Sequence, residues 1–342
     1  MALRRVTLQD IADACGLSRN TVSKVFNDRG AVQEATRQIV LKKAQELGYV
    51  QLPEEMPALP AVGGKSVALL TQRKLLSHNF GAYFITSFTN QISRAGYTLQ
   101  IYEISPEETA RKDLPPQLNL EDTAGFLCME LFDRDYQAAL CALQKPTVFV
   151  DGFPRTNLTA MTCDRISMEN VSSEFALVGR MIAAGARRIG FVGDREHCNS
   201  FFERWLGFWS ALTEAGLQPD ESLCILAEDG DCYSDTDWLI AQMEAMPTLP
   251  DAFACANDFL AIHLMTALKK KGLRIPEDVM VTGFDGSPEA AVIEPRLTTA
   301  QIPGAEIGQR AAAMLIERIH QPDAPYLMTY VNTTPIWGGS TR

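Results

Sequence analysis

Long apolar runs are missing from this 342-residue chain: no stretch of 18 or more apolar residues occurs. A membrane-spanning helix is therefore not expected. Residues Met1 to Thr7 reach polar side chains before any apolar segment can build, so no secretory leader is expected either. Histidine is scarce, and His78, His197, His263 and His320 lie far apart. The eight cysteines (Cys15, Cys128, Cys141, Cys163, Cys198, Cys224, Cys232 and Cys255) form no CxxC. That spacing argues against a zinc site or a disulfide framework and fits a reducing cytoplasm. No Ser/His/Asp, Cys/His or metal-ligand constellation can be assembled from linear motifs, so no enzyme, cofactor or metal is expected. "GGKS" (63–66) does not make a phosphate loop. Leu59 stands where that motif needs glycine, and the nearest candidate strand follows the motif instead of preceding it.

What the chain does have is ordinary core-forming material, 46% hydrophobic and 21% charged, at a length that suggests two or three domains. Its net charge of −11 is unevenly spread. Residues 1–50 carry eight Lys/Arg against five Asp/Glu, while the rest carries 23 against 37. A small basic module joined to an acidic body is the expected organisation.

In the basic module, Thr7 with Asp10 three residues on has the form of a helix start. Leu8, Ile11, Ala12 and Cys15 then recur on one helical face. Gly16 breaks the backbone, and Ser18 is a second cap. Val22, Val25 and Phe26 point inward from the next helix, and Arg19, Asn20, Ser23, Lys24 and Asn27 fall on its opposite side. A third helix is expected from about Gln33 to Leu47, with Ile39, Val40, Ala44 and Leu47 inward and Gly48 closing it. Two short helices split by a glycine turn, then a third, is the helix-turn-helix pattern. Its second helix enters the major groove, where Arg reads guanine and Asn reads adenine. Arg19 and Asn20 stand near that helix start, and Lys24 and Asn27 suit phosphate or a flanking base. The plain alternative is a solvated face of a small bundle.

"VTLQDIADACGLSRNTVSKVFNDRGAVQEATRQIVLKKAQELGYV" also resembles the DNA-binding headpiece of the lactose/galactose-repressor family of bacterial regulators, through "T-L-x-D-I-A", "G-L-S-x-x-T-V-S-K-V-x-N" and "E-L-G-Y". The resemblance implies that Arg19 and Asn20 read bases. Thr21, Ser23, Lys24 and Asn27 would position the helix, and the capping residues Thr7 and Ser18 join the DNA-contact set. Gln33 departs from the family, which usually caps there with Ser.

The linker "QLPEEMPALPAVGG" (51–64) holds three prolines and two glycines. Pro53, Pro57 and Pro60 exclude a helix interior, so a semi-extended connector is expected. The family's usual hinge helix, with its Asn-x-x-Ala-Arg-x-Leu-like pattern, is absent, and Glu54 and Glu55 would repel phosphate. Loosely tethered headpieces and a weaker effect of ligand on DNA affinity are the expectation. The implied domains are 1–50 (helix-turn-helix), 51–64 (linker) and 65–342 (two-lobed effector binding and dimerisation).

From Lys65 onward, short apolar runs alternate with amphipathic segments. Strands are expected at 66–70, 98–103, 125–129, 147–150, 188–192, 223–226, 252–255 and 279–284, with helices such as 82–94, 172–184 and 259–271. This is the α/β alternation of parallel sheets, with too many strands for one ordinary doubly wound domain. Two lobes with a cleft between them are expected, the ligand lying beyond the carboxyl ends of strands. Asp151, Asp194, Asn257, Asp258 and Asp285 stand at such ends, and each could equally be a helix cap. "GARRIGFVGD", "ERWLGF", "PDAFACANDFLAIHLMTALKKKGLRIPEDVMVTGFDG", "RLTTAQIP" and "GGST" resemble the effector domain of the same family, itself similar to periplasmic sugar-binding proteins. The resemblance implies that Arg204 forks onto ligand hydroxyls or a carboxylate, that Asp285 accepts from sugar hydroxyls, and that Asn257 and Asp258 match the family's A-N-D. His78 and Phe80 of "SHNFGAYF" stand where the family commonly has Asn-Pro-Phe-Phe, and Phe80 would stack on a sugar face.

The expected molecule is thus a cytoplasmic transcription regulator, most simply a repressor. It would bind a pseudo-palindromic double-stranded operator as a homodimer and respond to a small carbohydrate effector.

Overall fold

The computed structural model describes residues 7–27, 36, 39–40, 43, 66–72, 79–155, 157 and 162–342, with the backbone alone for Phe26, Asn27, Asn79, Phe80 and Asp231. The chain divides into two compact units, Met1–Leu59 and Pro60–Arg342.

In the first unit, α1 (Leu8–Cys15) opens on a capping box. The Thr7 hydroxyl accepts from the Asp10 amide at 3.3 Å, and the Asp10 carboxylate accepts from the Thr7 amide at 2.8 Å. Gly16 ends the helix at φ 65°, a conformation with no steric cost for glycine. Helix α2 (Arg19–Asn27) starts after Ser18, whose hydroxyl accepts from the Thr21 amide at 3.0 Å. Ile11, Ala12, Val22, Val25 and Val40 form the small core. The expected third helix lies mostly outside the described residues; 36, 39, 40 and 43 are helical. Val40 is buried as expected, but Ile39 is 57% exposed. Adjacent helix positions are about 100° apart, so the narrow core takes Val40 and leaves Ile39 outside.

Among the described residues the second unit has three sheets. Strands β1 (Ser66–Thr71), β2 (Thr98–Glu103), β3 (Thr123–Met129), β4 (Thr147–Val150), β5 (Asp164–Met168) and β10 (Met328–Val331) form a six-stranded parallel sheet in the order β10-β5-β4-β3-β1-β2. Strands β6 (Ile189–Val192), β7 (Ala252–Cys255) and β8 (Met280–Thr282) form the second, in the order β6-β7-β8. Strand β9 (Thr299–Gln301) pairs antiparallel with β11 (Thr334–Ile336). In chain order the helices of this unit are α3 (Asn79–Arg94), α4 (Pro106–Arg111), α5 (Arg134–Ala142), α6 (Val171–Ala183), α7 (Asn199–Glu214), α8 (Thr236–Ala245), α9 (Asp258–Lys270), α10 (Pro288–Val292) and α11 (Gly304–His320).

Each lobe buries its own core. In the first lobe α3 and α11 cover one face of the sheet through Phe84, Phe88, Ile307 and Leu315, and α5 covers the other through Tyr136 and Leu140. The second lobe packs α6 to α9 around Phe191, Phe208, Phe253 and Leu264. Helices α6 and α7 approach closely at Gly207, where a side chain would meet the Val171 carbonyl oxygen at 2.5 Å.

Two strand expectations need correction. Residues 223–226 are not a strand: Glu221–Leu223 is a short 3₁₀ turn, and Ile225 makes a single bridge to Val192. Asp220 caps that turn by accepting from the Ser222 amide at 2.9 Å, which turns the backbone away from extended pairing. Strand β5 is not among the expected strands, because it opens on Asp164 and Arg165. Both are buried: Asp164 takes the Arg318 guanidinium in a fork at 2.8 and 3.0 Å, which makes an apparently polar segment an interior strand. The cysteine reading is also corrected. Cys141 on α5 and Cys163 just before β5 form a disulfide with Cα atoms 6.2 Å apart. Folding brings together two residues that no linear motif connects.

Candidate effector cleft and DNA-reading helix

Chain order puts a switch point in each lobe. In the first sheet β1 lies between β2 and β3, so the chain leaves β1 in both directions. In the second, β6 lies between the Ile225 bridge and β7. Crevices at such points, beyond the carboxyl ends, are where open α/β sheets bind ligands. The residues just past these ends are Glu130 after β3, Asp151 after β4, Asn257 and Asp258 after β7, and Asp285 after β8.

Arg204 stands at the centre. It is 2% exposed on α7, and its donors are already spread over three partners. Nε donates to Asn170 Oδ1 at 3.0 Å, and Nη1 donates to the Ala256 carbonyl at 2.5 Å and to Asp285 at 3.3 Å. The Phe284 ring covers its guanidinium at 3.9 Å, a cation–π contact that suits the weakly hydrated Arg group. Arg204 thus ties α7 to Asn170, Ala256 and Asp285.

Asp285 has φ 119°, outside the usual range for a residue with a side chain, and is held there by the ladder to β9: its amide donates to Ala300 and its carbonyl accepts from Ile302. Burial lifts its carboxyl to about 7, against the pull of Arg204 and with a push from Asp258. It keeps 34% of its side-chain surface, the open part of a group otherwise sunk in the cleft. Asp258, 1% exposed, accepts from the Ser287 amide at 2.7 Å and the Thr299 hydroxyl at 2.6 Å. Burial raises it to about 6, offset by those same bonds. Asp258 thus ties α9 to the strands behind the cleft. Asn257 is the cap of α9, accepting from the Leu260 amide at 2.9 Å. Asp151, at φ 62°, accepts from the Ser200 amide at 3.1 Å, so a residue of the first lobe caps α7 of the second. Burial pushes Asp151 above the ordinary carboxylate range, with Ser200 and Arg204 pulling it back. Asp194 is a loop brace, accepting from the Glu196 and Asp229 amides at 2.8 and 3.1 Å.

The structure thus gathers Asp151, Arg204, Asp258 and Asp285 and assigns Asn257 to capping. His78 lies outside the described residues, as does the side chain of Phe80, whose backbone begins α3. Asn170 and Glu203 are members that no motif flagged. Asn170 accepts from Arg204 and donates to Glu203 at 2.8 Å, and Glu203 also accepts from Tyr330 at 2.6 Å. Burial raises the Glu203 carboxyl. Glu203 directly precedes Arg204 in "ERWLGF", the one signal that could have drawn attention to it.

In the first unit the opposite chemistry is presented. Arg19, Asn20 and Lys24 are exposed on α2, and Thr21 and Ser23 are half-buried beside them. The Ser18 and Thr21 hydroxyls lie 2.8 Å apart, one capping pair at the helix start. Thr7 is exposed at the start of α1, and the side chain of Asn27 is outside the described residues.

Residues 7–51 match the family model described as bacterial regulatory proteins, lacI family, and residues 178–341 match that of a periplasmic binding protein-like domain. The chain is 29% identical over 323 residues to the HTH-type transcriptional repressor PurR of Vibrio atlanticus (strain LGP32), covering 93% of each chain. It is 28% identical over 321 residues to the HTH-type transcriptional regulator CelR of Thermobifida fusca, covering 92% of each. Among solved structures it is similar to a transcriptional regulator CelR–cellobiose complex, with TM-score 0.70, 26% identity, and coverage of 98% of this chain and 100% of that one. The lac repressor dimer bound to operator and the anti-inducer ONPF shares the fold at TM-score 0.70 and 22% identity, with 99% of each chain covered.

Proposed function

We propose that the chain is a regulator of the lacI type, as the match of residues 7–51 and the PurR relative support, and that it acts as a cytoplasmic, dimeric repressor of a pseudo-palindromic operator, released or recruited by a neutral carbohydrate held between the lobes. The reading assigns residues 1–50 to DNA, 51–64 to a connector outside the described residues, and 65–342 to effector binding and dimerisation. Arg19 and Asn20 read base edges. Thr7, Ser18, Thr21, Ser23, Lys24 and Asn27 fix the helix on phosphates. The effector's hydroxyls replace Arg204's contacts and bond Asp151 and Asp285, His78 and Phe80 also contact the effector, and Asn257 and Asp258 hold the floor.

One observation carries the effector reading: Arg204 bonds Asn170, which follows β5 of the first lobe, and Asp285, which follows β8 of the second. An arginine fork beside ionisable carboxyls both donates to and accepts from vicinal hydroxyls. The relative solved with cellobiose supports a sugar.

The test begins with selection of bound duplexes from a random pool. Operator affinity is then measured with cellobiose, with monosaccharides and with a purine base, the last because relatives are named PurR. A pseudo-palindromic site whose affinity responds to a sugar, with the response abolished in Asp285→Ala, is the expected result. A response confined to the purine base removes the carbohydrate reading. Recovery of no site removes the operator reading.

A further inference from the structure

Cys198 bonds Asp151 in the cleft network, and a separate pair of cysteines lies against its frame. Cys141 is half-buried on α5 and Cys163 is 4% exposed at the entry to β5. Four residues before Cys141, on the same helical face, Gln137 accepts from Arg165 Nη2 at 2.6 Å. Arg165 is two residues after Cys163, on the same side of the extended chain. The disulfide and the Gln137–Arg165 bond are therefore successive rungs between the same two elements. The next rung leads to the cleft: Arg165 Nη1 donates to the Asp151 carbonyl at 3.4 Å, and the Asp151 carboxylate caps α7 at Ser200. Beside it the Gly152 carbonyl accepts from the Asn199 amide at 2.8 Å, a second bond from the first lobe to the second. Arg165 is a buried cation whose Nε has no partner, so these two bonds and the Phe149 and Phe153 rings beside it fix its position.

We propose that Cys141 and Cys163 are a reversible thiol–disulfide pair whose state sets how firmly the lobes are clasped at Asp151 and Ser200. The oxidant class is a low-molecular-weight disulfide such as glutathione disulfide. The Cys141 thiolate, the more exposed, attacks one glutathione sulfur, and the first glutathione leaves as thiolate and takes a proton. The Cys163 thiolate then attacks the Cys141 sulfur of the mixed disulfide, and the second glutathione leaves. Two protein thiols are oxidised and one glutathione disulfide is reduced to two thiols. In the bonded state α5 and β5 are locked in register, Arg165 is held under Asp151, and the clasp is firm. In the dithiol state the rungs are joined by hydrogen bonds alone. A regulator so built reports the thiol balance of its surroundings as well as its effector, consistent with cytosolic disulfides being chiefly redox-sensing.

The full-length chain is equilibrated in glutathione buffers from fully reduced to fully oxidised, quenched by alkylation and read by peptide mass. Cys141 and Cys163 are expected to change together and reversibly. A pair that stays reduced in glutathione disulfide, or that cannot be reduced without denaturant, overturns the proposal. Amide exchange at Ser200 is read in the same buffers and is expected to slow about tenfold on oxidation, as a local opening is suppressed. Equal exchange in the two states overturns the coupling. In the Cys141→Ser/Cys163→Ser double variant the buffers should leave Ser200 exchange unchanged, and a persisting difference assigns the effect to another cysteine and overturns the proposal. The wild-type titration stands without the variant, and neither readout depends on the effector or operator.

Discussion

Glu174 on α6 is fully buried, and neither carboxylate oxygen has a hydrogen-bond partner. Its Cβ lies against α7 at Gly207. An unpaired carboxylate in such a place costs far more than a neutral acid, so the group keeps its proton. Burial raises it from 4.5 to about 8, with Arg204 pulling it back. The folded state therefore holds a proton that the unfolded chain gives up above pH 4.5. By linkage, this contribution is fully present below pH 4.5, declines as pH rises, and is lost once pH passes about 8. At about 1.4 kcal/mol per pH unit, the window sums to about 5 kcal/mol, of which about 3 kcal/mol has gone by pH 7. Glu174→Gln keeps the shape and cannot ionise. It should match wild type near pH 5 within about 1 kcal/mol and exceed it by about 3 kcal/mol at pH 7. Urea unfolding followed by tryptophan fluorescence reads the correct lobe, because Trp205 and Trp238 pack on its core. If the stabilities of wild type and the Glu174→Gln variant run parallel from about pH 5 to about pH 8.5, Glu174 is not holding a proton and the reasoning fails.

Arg318→Ala should cost about 3–5 kcal/mol, because it strands the buried Asp164 carboxylate; urea unfolding measures it, and a loss below about 1 kcal/mol would mean that Asp164 is hydrated. Gly207→Ala should destabilise by about 1–3 kcal/mol by forcing α6 and α7 apart at the Val171 carbonyl, read as a lower thermal midpoint. Arg19→Ala should cost about 1–3 kcal/mol at the selected operator and relax preference at one base position, whereas equal weakening on every duplex would make Arg19 a phosphate contact.

The first two helices were legible because capping is local chemistry: Thr7, Asp10, Gly16 and Ser18 do in space what their spacing announces. Most body strands were legible for a similar reason, since runs such as 148–150 and 252–255 are apolar and buried throughout. Strand β5 was hidden because the partner that lets Asp164 enter the interior, Arg318, lies 154 residues away. The cleft was half legible. Asp151, Asp258 and Asp285 announced themselves by following strands, but whether each carboxyl faces ligand, caps a helix or braces a loop depends on contacts such as Asp258 to Thr299, 41 residues apart. Asn170 and Glu203 were hidden because their role comes from what they do to Arg204.

Polar contacts join the lobes beside apolar ones: Phe132 packs on the second-lobe core, and Leu177 and Phe284 join the first-lobe cluster. Ser200 and Asn199 amides donate to Asp151 and Gly152, Tyr330 donates to Glu203, and exposed Arg155 pairs with Glu196. Each such bond contributes about 1 kcal/mol net, since water competes for the same groups when the lobes part. A ligand shifts any balance between two forms of the lobes only by the difference in its affinity for them. On the proposed reading, Arg204 bears on this balance through its bonds to Asn170, Ala256 and Asp285. An effector that displaces Asp285 from Arg204 must replace that bond as well as add its own, so the arginine favours ligands that can donate to the released carboxylate. Sugar hydroxyls do both, each being donor and acceptor at once.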